Sequence, residues 1–593
     1  MTKEVYFVIP FTVGAAYLIL ILLVRGFRWI KGLSKIDKLR LFQSFLSVRS
    51  FQSMGEAFRE GLLHRSIFKK SRLLGYMHMS LAFGWFLLIV VGHLEAMVSR
   101  GSLSVPFYLP VFFRYFEYGN DFLFDRAFAF VMDLLLLFVL SGVTLAFLKR
   151  FKKKAFGLKK TTRLKSGDRI ALLSLWFIFP LRLFAESISA ALHQNGSFLT
   201  SAIGGLWQSS ETLNLIHTPI WLAYSLTLGF FFVALPNSRY MHIPTEILFI
   251  FLRNSGISLK KKPNTYTEVQ VFSCSRCGIC LDNCQLSAAG INHTQSVYLL
   301  KNIRNKNLND ENLFNCLLCG KCEKDCPVGI ETNTLRITQR IESTRQYNSS
   351  YTYLETGKSK KAEIVYFAGC MTHLTPGIIS SMKKIFARAG ANYWFLDEEK
   401  APCCGRPLML AGQYEAASKL IANNSQQIIG SGAKMLVVSC PICYKVFKED
   451  YNLPQVEIVF HAEYILRLIQ AGKLRTEKLP GRLIFHDPCE LGRGMGMYEV
   501  PRELLKQTGE LITIEKEKQE AYCCGGSLGN LKITQIERKA IRNQAITDYM
   551  QFEPDLLITA CPMCKKTFSR NTSIKVKDIG ELVAERLVHE KQN

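Results

Sequence analysis

The sequence predicts a multidomain protein, in which a bundle of five membrane-spanning helices precedes a helical cysteine-rich domain and two copies of an α/β domain. Three observations support this prediction. The first 255 of the 593 residues contain five long apolar stretches. Eight cysteines at short, regular intervals follow them, and the last ten of the 18 cysteines form two copies of a longer pattern. Short apolar runs typical of buried parallel strands lie between those last cysteines.

Each apolar stretch is about as long as the 20 residues that a helix needs to cross a bilayer. The stretches lie at 5–24, 74–95, 127–148, 169–192 and 213–236. We therefore expect residues 1–255 to form a transmembrane domain.

Basic residues are distributed unequally between the loops that connect these spans. Residues 25–73 contain twelve Lys or Arg and residues 149–169 contain ten, whereas 96–126 contain three and 193–212 contain none. Cytoplasmic loops are enriched in Lys and Arg. The pattern predicts a multi-pass protein of the cytoplasmic membrane, with the N-terminus outside and everything after residue 237 in the cytoplasm. Because the net charge of +26 comes largely from such loops, nucleic-acid binding is not needed to explain it.

Histidines lie near both ends of the second and fifth predicted spans. His78 and His93 are about 22 Å apart along the second span, and His217 and His242 mark the two ends of the fifth. Since these spans are antiparallel, we expect His78 to face His242 near the cytoplasm and His93 to face His217 near the outside. Paired histidines in a bilayer are usually functional and can be axial ligands of haem b. For His64 and His193 the preferred interpretation is a histidine at the membrane interface that is hydrogen-bonded to water.

The eight cysteines after the membrane domain form two C-x2-C-x2-C-x3-C runs, and the second run is followed by Pro327. This is the spacing of bacterial ferredoxins with two clusters, where the fourth cysteine of each run binds the other run's cluster. The pattern predicts two cubane [4Fe–4S] clusters in a helical domain over 264–350. Their expected ligands are Cys274, Cys277, Cys280 and Cys326 for one cluster, and Cys284, Cys316, Cys319 and Cys322 for the other. Gln285 stands where proline is common. Zinc is the alternative, but the spacing is too close for two ordinary zinc ribbons.

The last ten cysteines indicate that about 120 residues are duplicated. Gaps of 32 and 35 residues in the first copy become 33 and 36 in the second. Structural zinc takes four ligands, so five thiolates in each copy favour iron–sulfur chemistry. Zinc or disulfide bonds remain alternatives, although cytosolic thiols stay reduced. The two sets are Cys370, Cys403, Cys404, Cys440 and Cys443, and Cys489, Cys523, Cys524, Cys561 and Cys564.

Four short apolar runs, at 364–367, 435–438, 483–485 and 556–558, each end just before a motif cysteine. Ligands of open α/β sheets collect at the carboxyl ends of the strands, where these cysteines are expected. The predicted α/β domains cover 360–475 and 480–590. A structural role is the preferred interpretation of His373, His486 and Asp487, and hydrogen bonding to cluster sulfur or proton transfer is the alternative.

The duplicated pattern resembles the CCG domain of heterodisulfide reductases and related quinone-linked iron–sulfur oxidoreductases. The resemblance implies one non-cubane [4Fe–4S] cluster in each copy, held by its five cysteines, or a cluster in only one of them. These ten cysteines would be the catalytic residues.

The segments 61–67, 75–78 and 236–242 resemble the membrane cytochrome b part of fused heterodisulfide-reductase-like proteins. That part is related to the five-span, dihaem gamma subunit of respiratory nitrate reductase. Relatives often carry a histidine twelve residues before the proline, where this sequence has Tyr224. The outer haem therefore uses His217 or His193, or it is missing.

No G-x-G-x-x-G motif follows a predicted strand and no P-loop is visible, so we expect electron exchange with a separate protein. The whole arrangement resembles membrane-bound oxidoreductases that pass electrons between an electron-transfer flavoprotein and menaquinone. Three other functions remain open. They are a heterodisulfide or disulfide reductase fed by quinol or haem, an anchored iron–sulfur subunit of a lactate, glycolate or glycerol-3-phosphate dehydrogenase, and a membrane-tethered cluster scaffold or redox sensor without turnover.

Overall fold

A computed structural model describes residues 3–101, 109–114, 122–156, 162, 164–207, 210–259, 263–345, 359–399, 402–529, 532–570 and 572–588. They belong to two compact units. The first comprises Met1–Leu259 and Asn264–Gly278, and the second comprises Lys260–Pro263 and Ile279–Asn593.

The described part of the first unit is helical. Five helices are long and apolar enough to cross a membrane, which confirms the number predicted from hydropathy: Tyr6–Gly32, Arg72–Ser99, Asp125–Phe151, Ser166–His193 and Glu211–Asn237. Most extend beyond the apolar stretches, because polar residues at the ends continue the helix. The α-helices are α1 (Ile9–Gly32), α2 (Lys35–Phe45), α3 (Val48–Ala57), α4 (Arg65–Phe68), α5 (Arg72–Arg100), α6 (Leu109–Phe112), α7 (Asp125–Phe151), α8 (Ser166–His193), α9 (Phe198–Gly204), α10 (Ser210–Ala234), α11 (His242–Asn254) and α12 (Thr265–Phe272).

Small residues and a proline shape the packing of α10. A Cβ atom on Gly14 of α1 would lie 2.7 Å from the Cα of Gly229 on α10, so the two helices approach at a point that only glycine allows. The α-helix ends at Ala234, and Leu235–Asn237 continues as a 3₁₀ turn. Pro236 explains this change because it has no N–H for the helical hydrogen bond.

Four buried charged side chains pair with one another in the first unit. Arg114 donates to both carboxylate oxygens of Glu95 at 2.7 and 2.8 Å, and Arg182 donates to Glu186 at 2.7 Å. Arg114 also lies 3.6 Å from Glu186, which joins the two pairs. Each of the four residues is at most 3% exposed. Charges buried in an apolar bundle need such partners, so these pairs link α5 and α8 to the segment after α6.

From Ile279 onwards the second unit has short helices interspersed with six of the ferredoxin-type cysteines. The sequence spacing requires tight turns between them, and the structure has α13 (Ile279–Asp282), α14 (Gln285–Ala288), α15 (Ser296–Arg304), α16 (Asp310–Phe314), α17 (Lys321–Lys324) and α18 (Thr332–Ser343).

Two small parallel sheets follow. The first contains β1 (Ile364–Phe367), β2 (Tyr393–Phe395), β3 (Met435–Val438) and β4 (Glu457–Phe460) in the order β2-β1-β3-β4. The second contains β5 (Leu479–His486), β6 (Gly509–Leu511), β7 (Leu556–Thr559) and β8 (Lys575–Asp578) in the matching order β6-β5-β7-β8. The apolar runs predicted as strands are the two central strands of each sheet. We call these the first and second α/β domains.

The helices of the first α/β domain are α19 (Cys370–His373), α20 (Pro376–Arg388), α21 (Arg406–Leu410), α22 (Tyr414–Ser431), α23 (Pro441–Glu449) and α24 (His461–Gln470). Those of the second are α25 (Gly492–Met495), α26 (Glu499–Thr508), α27 (Gln535–Met550), α28 (Pro562–Phe568) and α29 (Ile579–Glu585).

The two α/β domains pack against each other in a reciprocal way. Helix α20 of the first contacts the last helix, α29, of the second, and α26 of the second contacts the last helix, α24, of the first. Since α20 and α26 hold corresponding positions in the two copies, the interface is isologous, like that of a two-fold symmetric dimer. At this interface a ring nitrogen of the fully buried His461 lies 3.1 Å from a carboxylate oxygen of Asp578.

Candidate iron–sulfur and haem centres

The ten cysteines of the α/β domains lie where the topology brings loops together. Cys370 and Cys489 follow the ends of β1 and β5, and Cys440 and Cys561 follow β3 and β7. Because these strands are parallel neighbours, their carboxyl ends meet at one edge of each sheet. None of the eighteen cysteines, which all fall within the described residues, is in a disulfide.

The five thiols of each domain lie side by side in a continuous chain with the same order in both copies. In the first domain the order is Cys370, Cys403, Cys404, Cys443, Cys440. In the second it is Cys489, Cys523, Cys524, Cys564, Cys561. Hydrogen bonds from Cys403 and Cys443 lower the pKa of Cys404 to about 5. Thiolates are the ligands that iron–sulfur centres use, so five convergent thiols suit such a centre.

Backbone N–H groups also point at these sulfurs. Gly405 N lies 3.5 Å from Cys403 Sγ, and Gly525 N lies 3.5 Å from Cys523 Sγ. The two glycines have φ angles of +92° and +83°, a conformation that other residues adopt only with strain. The Cys-Cys-Gly sequence thus turns an N–H towards a thiolate, which favours the charged form.

One ferredoxin-type ligand set lies within the second unit. Cys284 is close to Cys316, Cys319 and Cys322, since, besides burial, the charges of all three thiols raise its pKa. Burial, Glu323 and neighbouring thiols raise the pKa of Cys322 to about 12. The other predicted set is divided between the units, with Cys274 and Cys277 in the first, and Cys280 and Cys326 in the second. That ligand set stays a prediction.

The ferredoxin-type set of the second unit contacts the cysteines of the second α/β domain. A hydrogen bond from Cys523 lowers the pKa of Cys319 to about 6, so the two sulfurs are neighbours. Gln285 joins the same segments, because its Nε2 donates to the carbonyl of Cys523 at 3.1 Å and its Oε1 accepts from Cys523 N at 2.7 Å. These two bonds use the side chain amide that proline would lack.

Arg493 places a positive charge at this junction. Its guanidinium donates to the carbonyls of Cys319 at 2.7 Å and Ala521 at 2.8 Å. It also interacts electrostatically with the thiols of Cys319, Cys489 and Cys523. A cation here offsets the negative charge that bound clusters bring.

Three histidines of the first unit lie near one another. The rings of His64 and His78 have centroids 5.3 Å apart, and His242 is within electrostatic range of His78. Nδ1 of His64 lies 2.7 Å from the carbonyl of Glu60, and Nδ1 of His242 lies 2.6 Å from that of Arg239. If each Nδ1 carries the proton, Nε2 is the unprotonated nitrogen, which is the form in which histidine binds a metal.

The other predicted haem ligands have different surroundings. Nε2 of His217 lies 2.8 Å from the hydroxyl of Ser189, and its ring centroid is 6.5 Å from that of His193. Tyr224, where the resemblance led us to expect histidine, is 1% exposed and packs against Phe113 and Trp221. The second haem, with His93 and His217 as ligands, stays a prediction.

Comparisons with known proteins identify the cysteine-rich regions. A family model described as "Cysteine-rich domain" (CCG) matches residues 364–448 and 483–569, and one described as "4Fe-4S dicluster domain" matches 270–330. The chain is 23% identical to an EtfAB:quinone oxidoreductase of Syntrophomonas wolfei, over 86% of this chain and 87% of the relative. It is 26% identical to a subunit of the dihydromethanophenazine:CoB–CoM heterodisulfide reductase of Methanosarcina barkeri, over 54% of this chain and 96% of the relative.

The chain is an iron–sulfur oxidoreductase, and it is similar to heterodisulfide reductases. A probable iron–sulfur-binding oxidoreductase of Bacillus subtilis, FadF, is also similar, with 21% identity over 78% of this chain and 83% of the relative. The two CCG domains are the two α/β domains described above.

The roles of several residues of this oxidoreductase were not predicted from the sequence. Glu95, Arg182 and Glu186 lie in helices that are long and apolar enough to cross a membrane. A charged residue in such a helix usually has a function or an ion-pair partner, and this signal could have identified them. In the sequence, the only indication of the contact between Gln285 and Cys523 is that Gln285 stands where proline is common. His64, interpreted from the sequence as a hydrated interface residue, lies beside His78.

Asp487, for which the sequence analysis prefers a structural role, lies in a buried ion pair. Its two carboxylate oxygens accept from Arg502 at 2.7 and 2.8 Å, and the pair is almost fully buried. Removal of Asp487 leaves Glu517, 3.2 Å away, as the remaining carboxylate partner of the buried Arg502, and the loss of a buried partner costs up to about 3–5 kcal/mol. We expect Asp487→Ala to lower the guanidinium concentration at which the second CCG domain releases its iron.

The matched control for this prediction is Glu499→Ala, which removes an exposed partner of Lys518. An exposed pair contributes little, so this variant should change stability by no more than about 0.5 kcal/mol. Equal iron release from both variants and the unmodified protein would contradict the structural role of Asp487.

Proposed function

We propose that this oxidoreductase passes electrons between a cytoplasmic electron-transfer flavoprotein and the membrane quinone pool, with menaquinone as the quinone. The contact between Cys319 and Cys523 carries the proposal. It sets a ferredoxin-type ligand group against the thiols of the second CCG domain, in a chain that also has five helices able to cross a membrane. Neighbouring redox centres and a membrane anchor are what a link between a soluble donor and a lipid-soluble acceptor needs.

The residues that would hold the cofactors can be named. The two ferredoxin-type sets would hold cubane clusters, each CCG set a non-cubane cluster, and His78 with His242 a haem b. When bound, these groups supply one-electron carriers. The converging thiols and the carbonyl-bound Nδ1 atom of His242 support this fit. His93 and His217 are retained as the ligands of a second haem only as a prediction from the sequence.

The expected topology is consistent with this function. Two loops rich in Lys and Arg would face the cytoplasm, and the cysteine-rich regions would lie on the same side. A soluble flavoprotein could then reach them. The relative from Syntrophomonas wolfei, which aligns with most of this chain, carries both an electron-transfer flavoprotein and a quinone in its name.

The test uses the anaerobically purified, detergent-solubilised full-length protein. We expect pre-reduced electron-transfer flavoprotein to reduce haem b within the mixing time, and a menaquinone analogue to reoxidise it. The visible absorption of haem b is the measurement. Dithionite serves as the positive control, since it reduces haem regardless of the partner.

Haem that responds to dithionite but not to the flavoprotein would overturn the proposed donor. Oxidation of the prereduced protein by a disulfide would then favour a disulfide reductase, and reduction by a lactate or glycolate dehydrogenase would favour an anchored subunit of such an enzyme.

A further inference from the structure

The two CCG domains differ at one buried position next to their cysteines. Phe367 ends β1 and pairs with Val438, whereas His486 ends β5 and pairs with Thr559. Val438 and Thr559 each precede the first cysteine of a Cys-Pro-x-Cys motif by two residues. Phe367 and His486 are therefore equivalent in register, and both are fully buried. An apolar ring in the first domain corresponds to an imidazole in the second.

The imidazole of His486 lies beside two cysteines of its domain. One ring nitrogen and the Sγ atoms of Cys524 and Cys564 lie within 4.8 Å of one another. Nδ1 is 2.7 Å from the hydroxyl of Tyr549, while Nε2 is buried and has no hydrogen-bond partner among the residues that the structure describes. Nε2 is thus the nitrogen available to these sulfurs. A buried polar atom without a partner is rare enough to require an explanation.

Hydrogen-bond accounting assigns the proton to Nε2. Tyr549 is 2% exposed, and His486 is the partner of its hydroxyl in the described part of the chain. If the hydroxyl donates to Nδ1, its proton is satisfied and the neutral ring carries its own proton on Nε2. The opposite arrangement leaves the tyrosine proton buried without an acceptor, at a cost of about 1–3 kcal/mol. It also turns the Nε2 lone pair towards two sulfurs that become thiolates when they bind iron.

We propose that His486 donates an Nε2–H hydrogen bond to a sulfur of the iron–sulfur centre held by Cys524 and Cys564, and that this bond makes the second CCG centre easier to reduce than the first. Hydrogen bonds to the sulfurs are among the features that set the potential of a cluster. A donor stabilises the additional negative charge of the reduced state, and donors to charged acceptors form the stronger bonds. Phe367 has no such donor to offer the first centre.

Tyr549 is a positioning residue in this scheme. Its hydroxyl fixes the tautomer of His486, and among the described residues that histidine is its hydrogen-bond partner. The inference concerns the relative electron affinity of the two CCG centres and does not depend on which flavoprotein or quinone the oxidoreductase uses.

The test combines spectroscopy with His486→Phe, which gives the second domain the residue of the first. Full-length protein that also carries Cys403→Ala is used, so that the first centre does not contribute. In this protein with ¹⁵N-labelled histidine, pulsed paramagnetic resonance of the reduced centre should show a weak histidine nitrogen coupling. It should also show one exchangeable proton in addition to those of Gly525 N–H and Gly526 N–H, which lie 3.5 and 3.4 Å from Cys523 Sγ and Cys524 Sγ. The nitrogen coupling and this additional proton should vanish in His486→Phe, and the midpoint potential should become more negative. A tenfold weaker affinity for the electron corresponds to about 59 mV for a one-electron couple.

Two further variants distinguish an effect of the hydrogen bond on the midpoint potential from a general structural effect of substitution. Tyr549→Phe keeps the imidazole of His486 but removes the hydroxyl that fixes its tautomer. The midpoint potential should again become more negative, by a smaller amount than in His486→Phe. His293→Asn removes an exposed histidine at φ +74°, a conformation that asparagine tolerates, and should leave the spectrum unchanged.

A strong nitrogen coupling before substitution would overturn the proposal, because it would show direct ligation of iron by His486. An unchanged potential in a cluster-containing His486→Phe protein would also overturn it. If that variant does not retain iron, the spectrum of the protein with His486 intact is decisive, and absence of the weak histidine nitrogen coupling there contradicts the hydrogen bond.

Discussion

Replacing Cys523 by alanine should remove the iron–sulfur centre of the second CCG domain, with a loss of about four iron atoms per chain. Cys523 occupies the second position in the chain of five thiols, between Cys489 and Cys524, and it also contacts Cys319. Its loss therefore removes one ligand and separates the second CCG centre from the neighbouring ferredoxin-type set. Iron and sulfide analysis, with paramagnetic resonance of the reduced protein, measures the effect.

The matched control is Cys403→Ala, at the corresponding position of the first CCG domain. This variant should lose the same amount of iron, but the described residues place no ferredoxin-type thiol in hydrogen-bonding contact with Cys403. We expect reduction of the remaining CCG centre from the ferredoxin-type side to be slowed strongly in Cys523→Ala and much less in Cys403→Ala. Full iron content in both variants would show that these sites hold another metal, such as zinc.

His78→Ala should abolish the absorption of the inner haem while leaving the cluster signals intact. The reason is the position of His78, which lies beside the ring of His64 and within electrostatic range of His242. An alanine has no nitrogen to offer as an axial ligand, and such ligands also set the potential of the iron. Haem content per iron–sulfur centre, from absorption spectra of the purified protein, is the measurement.

His64→Ala is the control for this prediction. The proposed axial pair is His78 with His242, so removal of His64 should preserve haem content and change only its spectrum or potential. Retained haem in His78→Ala together with lost haem in His64→Ala would reassign the ligand to His64.

The spacing of residues in the sequence predicts those parts of the molecule that depend on local geometry. The Cys-Cys-Gly turns and the Cys-Pro-x-Cys helices bring thiols to the ends of short parallel strands because the connections are short and the strand direction is fixed. The central strands were predicted by their apolar runs. The outer strands were not: β8 (Lys575–Asp578), for example, alternates charged and apolar residues and owes its place to pairing with β7.

Contacts between distant parts of the sequence could not be predicted in the same way. The two hydrogen bonds of Gln285 to Cys523 join residues 238 positions apart. No spacing rule encodes that pair, nor the pairing of Arg114 with Glu186. Tyr224 was recognised as a departure from relatives, but its aromatic packing depends on side chains from other segments of the chain.

The reciprocal packing of the two CCG domains has a consequence for their evolution. In a dimer of identical subunits every substitution appears on both sides of the two-fold axis, so the two centres must share one electron affinity. Here both halves belong to one polypeptide, and a substitution in one copy leaves the other unchanged. Fusion therefore permits an architecture that retains the packing of a symmetric pair while each half acquires its own chemistry. Among the described residues, Gln285 forms hydrogen bonds with the second half, and that half has His486 where the other has Phe367.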